Sequence, residues 1–169
     1  MANFDPARVG KAEWIGLGAG LLAFIASFLP WFSLSAGFIS ISANAWSLGF
    51  LAWFPVLLMV AAAGVILAQQ LGVNVPTVRP SWPLILLGVS VLSLLLILLR
   101  WVTMSSETDG LDFAGISYGA GFGLYVGLVS AILLGLSQFL VFRSTGQTLS
   151  DATKQFRNPG TNPTPPNTY

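Results

Sequence analysis

The segment Tyr118 to Phe142 reads YGAGFGLYVGLVSAILLGLSQFLVF, and within it Gly119, Gly123, Gly127, Ala131 and Gly135 recur at every fourth position. On a helix these residues form one ridge almost without side chains, flanked by Phe122, Leu124, Val126, Leu128 and Leu133. In water such a segment makes a poor helix, because each glycine costs about 1 kcal/mol relative to alanine. In lipid the same ridge lets another helix approach closely, since association there depends on packing and not on expelling water. The ridge is therefore read as a packing surface, with a lining for a pore or a lipid groove as the alternative.

The rest of the composition agrees with a membrane setting. Of 169 residues, 54% are apolar and 8% charged, whereas soluble domains carry about 25% charged residues. Four apolar stretches account for the deficit: Trp14–Leu29, Phe50–Ala68, Trp82–Leu99 and Tyr118–Phe142. A helix needs roughly 17–25 such residues to cross the hydrocarbon core. The expectation is one all-α membrane domain over residues 1–143, with helices at about 13–30, 47–68, 82–101 and 118–142. The polar, proline-rich remainder, 144–169, cannot bury enough apolar area to fold and is expected to be a disordered tail.

Between the helices the sequence suggests β-structure. The first apolar run ends in Pro30-Trp31-Phe32, which suits an anchored helix better than a cleaved signal peptide. The alternation in Ile39-Ser40-Ile41-Ser42, with Ala36-Gly37 before it, reads as a short hairpin over the helix ends. Asp109-Gly110 is a tight-turn signal and predicts a second one. Pro55 predicts a kink or late start in the second helix. Gly16 and Gly20, at GxxxG spacing, are the expected partner of the fourth-segment ridge. The third segment is the most aliphatic and is expected to face lipid, with Gly88, Ser90 and Ser93 on its packing side.

Trp14, Trp31, Trp46, Trp82, Trp101 and Tyr118, together with Arg100, sit at the ends of these runs and are read as interface anchors. Arg8, Lys11, Arg79, Arg143, Lys154 and Arg157 all lie on one side if four helices cross. The positive-inside rule then places both termini in the cytoplasm. Trp46-x-x-Gly49-Phe50-x-x-Trp53 matches Tyr118-x-x-Gly121-Phe122-x-x-Tyr125, so the two helical hairpins are read as parallel repeats about an axis along the membrane normal.

Pro30-Trp31-Phe32-Ser33, the serine-rich loop and Ala43-Asn44-Ala45-Trp46 together resemble small, mostly uncharacterised four-helix membrane proteins of actinobacteria. The resemblance covers the helices and not the tail. It implies a plasma-membrane protein of a Gram-positive envelope and carries over no catalytic residue. Claudins are similar in outline, but their paired loop cysteines have no counterpart here.

Chemistry is sparse. The chain has no cysteine and no histidine, which removes thiolate chemistry, the commonest general base and the commonest metal ligand. A net charge of +1 gives no case for nucleic acid. No ionisable residue lies in the membrane interior, where coupled transporters usually place one. Ser90, Ser93, Ser130 and Ser137 are the polar interior groups, and such hydroxyls usually bond their own helix. Glu13, at a helix edge, is read as a solvated interface residue, the alternative being a proton or cation site. Glu107, Asp109 and Asp112 lack the EF-hand ligand order.

No catalytic, cofactor or metal residue is expected, and the chain is not expected to be an enzyme. The reading is a membrane scaffold or accessory subunit of a larger envelope or respiratory complex. Its partners would be lipids and another membrane protein, or a second copy. A transporter or channel component for an apolar or zwitterionic solute is the alternative.

Overall fold

The computed structural model describes residues 9–36, 38–73, 75, 81–107 and 116–144. In chain order the elements are α1 (Lys11–Ala26), β1 (Phe32–Ala36), β2 (Ile39–Ala43), α2 (Phe50–Gln70), α3 (Trp82–Glu107), β3 (Ile116–Ala120) and α4 (Phe122–Ser144). The helices pack in the cyclic order α1–α2–α3–α4, with α2 and α4 touching only slightly across the middle. Neighbours run antiparallel. A Cβ at Gly16 would meet Ile66 and Ser137, and Gly20 lies against Met59 and Ala63. Along the α3–α4 seam, Gly135 faces Ser90 and Gly127 faces Ile97. Lys11 and Arg143 therefore share one end of the bundle, while the strands lie at the other.

Among the described residues, three helices are long and apolar enough to cross a membrane: α2, α3 over Trp82–Met104, and α4. The expectation is four, and α1 is the helix that falls short of that length. Helix α1 has 16 residues, about 24 Å at 1.5 Å per residue against a hydrocarbon core of about 30 Å. Its expected range ran to Pro30, but the chain turns at Ser27 and Phe28. The fourth helix starts at Phe122, not Tyr118, because residues 116–120 are drawn into a strand. The third runs past Trp101 to Glu107, so Arg100 lies inside a helix and does not close one.

Local rules explain several boundaries. Glu13 accepts a hydrogen bond from the Gly10 N–H at 2.8 Å, satisfying a donor at the start of α1. Gly49 precedes α2 at φ 88° and ψ −177°, a region open almost only to glycine. Pro55 lies inside α2, which starts at Phe50, later than expected. Helix α2 ends in a Schellman motif: Gly72, at φ 67°, donates to the Gln69 carbonyl, and Val73 donates to that of Ala68, the pattern that satisfies a helix's last carbonyls.

The strands form an antiparallel sheet in the order β2–β1–β3. The expected first hairpin is present, with Leu34 opposite Ile41 and Ser35 opposite Ser40. The Asp109-Gly110 turn lies outside the described residues, as does the tail from 145 onward. Strand β3, later in the chain, pairs with β1 across the bundle, Leu34 opposite Tyr118. The sheet thus joins the α1–α2 connection to the start of α4.

Candidate functional site: the Trp31 slot

Trp31 follows the proline that ends the first apolar run. Its position at a helix end predicts an interface anchor; instead it is completely buried, with 0% of its surface exposed. The reason lies in what its groups meet. The indole Nε1–H donates to the Ala26 carbonyl at 2.8 Å, at the end of α1, where the same carbonyl also accepts from the Leu29 N–H at 3.1 Å. Its backbone N–H donates to the Ala43 carbonyl at 2.8 Å, and its carbonyl accepts from the Gly121 N–H at 2.9 Å. The neighbouring Pro30 carbonyl accepts from the Gly123 N–H at 2.7 Å. These two carbonyls therefore cap the start of α4, which lacks a capping side chain.

The ring occupies the glycine ridge. A Cβ built on Gly123 would lie 2.6 Å from Cδ1 of Trp31, 3.0 Å from the Ala26 carbonyl oxygen and 3.0 Å from Cβ of Leu29. On Gly127 it would lie 3.1 Å from Cζ2 of the same indole. Gly121 has no room either, since its Cβ would run into the Pro30 carbonyl. The upper part of the ridge is thus a slot for an aromatic side chain, formed within the chain. Lower down, Ala131 is buried and Gly135 faces Ser90 of α3, which is the helix-to-helix use expected of such residues. Gly119 does not belong to the ridge at all: it is a strand residue, paired with Ser33.

The other glycines divide similarly. Gly16 and Gly20 are buried, but their chief neighbours are Ser137, Ile66, Met59 and Ala63. Gly20 therefore serves the α1–α2 contact, and only Gly16 reaches α4. Gly88, expected on the packing side of α3, is exposed with nothing within 4 Å of its Cβ position, while Ser90 and Ser93 are buried as expected. Trp14, Trp46 and Trp101 are 47%, 40% and 37% exposed, and Trp82 is half-buried; these four keep the surface position an anchor needs. Arg100 is half-buried. Trp46 donates to the Ser27 hydroxyl at 3.1 Å, and Trp101 stands edge-on to Tyr125 at 5.8 Å.

The interior polar groups are mostly spent on helix carbonyls: Ser27 on Phe24, Ser90 on Leu87 and Ser130 on Val126, all within 2.8 Å. Ser93 reaches across to the Pro55 carbonyl at 3.4 Å. One buried polar residue escapes a reading centred on serines. Gln138 is 2% exposed, and its Nε2 donates to the Ser137 hydroxyl at 3.2 Å beside Gly16. The available signal was an amide inside an apolar run, one residue from a serine. Among the described residues, no group of three or more His, Cys, Asp or Glu side chains gathers.

What the arrangement builds is an apolar bundle whose helix ends and sheet are tied by one indole. Three apolar helices of spanning length are compatible with a multi-pass membrane protein. No protein-family model, no curated protein and no solved structure matches the chain.

Proposed function

We propose that the chain is a non-catalytic, multi-pass scaffold or accessory subunit of a larger membrane complex of the envelope or respiratory type. On this reading α1 crosses with the other three helices. It lies against both α2 and α4, and its outward residues Leu21, Phe24 and Ile25, with Phe28 in the turn that follows, are apolar and exposed. The turn at Ser27–Leu29 adds to its reach, and local bilayer thinning absorbs a few ångströms of mismatch. Lys11 and Arg143 share one end, which we take as cytoplasmic, in the plasma membrane. The halves are read as a duplication. Phe50 and Phe122, matched in the repeat, each open a helix after a glycine, and the cyclic helix order suits a two-fold axis along the bundle. The resemblance to actinobacterial proteins belongs to the same proposal.

The observation that supports a partner is a smooth stripe left over on α2. Most small residues are consumed inside the bundle, including Ala62, which is 3% exposed. Ala61 and Gly64, by contrast, face outward, and nothing lies within 4 Å of a Cβ at Gly64. Such a surface suits close approach of another helix in lipid. Gentle detergent purification from the native membrane, with identification of bound protein, tests the reading. Gly64→Leu is expected to release the partner and leave the thermal unfolding of the chain unchanged. A chain that stays monomeric in native membranes and moves solute when reconstituted alone would overturn it in favour of transport.

A further inference from the structure

The β1–β2 hairpin has two unlike faces. Successive strand residues point to opposite sides, so the pairs Ser33–Ser42 and Ser35–Ser40 place four hydroxyl side chains on one face, where Ser40 and Ser42 are exposed. Leu34 and Ile41 pair on the other. There Ile39 is 65% and Ile41 60% exposed, and Phe38 at the tip is fully so. At its inner end, Phe32 packs against the hydrophobic core; further out the apolar face leaves the bundle uncovered.

An edge strand facing water is normally blunted by charge. None is present here: from Trp14 to Val78 the sequence has no Asp, Glu, Lys or Arg. A band of rings lies at the same end of the bundle, with Phe24, Phe28, Trp46 and Phe50 exposed and Trp53 and Phe54 half-buried. Phe28 lies edge-on to Phe24 at 5.2 Å and 6.2 Å from Trp46. Phe50 stacks on Phe54 at 4.5 Å, with Trp53 edge-on to both. Aromatic side chains collect where hydrocarbon meets headgroups, and this band marks that level on the bundle.

We infer that the hairpin is a membrane-surface element: Phe38, Ile39 and Ile41 dip into the headgroup layer of the bilayer that the helices cross, while Ser33, Ser35, Ser40 and Ser42 face water. The occupant is lipid, because the apolar face lies at the same end of the bundle as the aromatic band, beside helices of spanning length, and carries no charge to direct a protein partner. The inference rests on membrane residence and does not depend on the α2 stripe. Its consequence is that the sheet end is held flat at one leaflet, which fixes the tilt of α1 and α4 through Trp31.

The absence of native cysteine permits a direct test. The full chain carrying a single nitroxide at Phe38→Cys, Ser40→Cys, Ile41→Cys, Ser42→Cys or Leu95→Cys is reconstituted into phosphatidylcholine–phosphatidylglycerol vesicles. Collision with oxygen is compared with collision with a water-soluble nickel chelate. Labels at 38 and 41 are expected to favour oxygen, as does the label at Leu95, which is 57% exposed on α3. Labels at 40 and 42 are expected to favour the chelate. Equal chelate access at all four hairpin positions overturns the inference. So does a label at 41 that is shielded from both reagents and regains mobility on dilution with lipid, since a second copy then covers the face. If Leu95 itself fails to meet oxygen, membrane residence falls, and with it the proposed function.

Discussion

The indole of Trp31 lies against the bare backbone of Gly127, so close that a Cβ there would stand 3.1 Å from Cζ2 and 3.3 Å from Cη2. Filling that space is a matter of side-chain packing, not of backbone freedom. Among the described residues only Gly49 and Gly72 have positive φ. Gly127→Leu is therefore expected to overpack the slot at a cost of about 1–3 kcal/mol. Gly88→Leu, on an open surface, should leave stability nearly unchanged. Thermal unfolding in detergent compares them, and equal losses would show that the slot is not the packing centre.

Trp31→Phe removes the hydrogen bond to the Ala26 carbonyl and part of the ring that fills the ridge. The Ala26 carbonyl keeps its bond from the Leu29 N–H, so the loss is that of one hydrogen bond, about 0.5–1.5 kcal/mol, and the cavity adds to it. The double variant Trp31→Phe/Gly127→Ala should lose less than the sum of the two singles, because the new methyl enters vacated space. A double-mutant cycle measures this coupling; strict additivity would mean that the two residues do not share a site.

At Gly49 the penalty is conformational. Its Cβ position is empty of neighbours, so Gly49→Ala should cost about 1–3 kcal/mol through backbone strain alone. Gly121→Ala should also destabilise, here by collision with the Pro30 carbonyl. The two repeat-related glycines would thus fail for different reasons.

Topology is tested through the shared end of Lys11 and Arg143. Cysteine at Ser40 should react with an impermeant reagent in intact cells, and cysteine at Ser144 or Thr161 should not. Labelling at both ends would end the assignment of both termini to the cytoplasm.

Much of this architecture is legible in composition and local pattern. The apolar runs place α2, α3 and α4 because crossing lipid demands length and the absence of charge. The Ile-Ser alternation gives the β1–β2 hairpin. What composition cannot supply is facing. A helix apolar all round carries no stripe to show which side meets a neighbour. Nothing local distinguishes Gly123, which faces an indole, from Gly135, which faces a helix, or Ala62, inside, from Ala61, outside. Trp31 reads as a surface anchor because helix-end tryptophans usually are. Only the return of the chain through β1, and the pairing of β1 with a strand far along the sequence, turns it into the slot of α4. That pairing also takes residues 116–120 from the helix, since the strand gains partners for its backbone groups that an isolated glycine-rich helix start lacks.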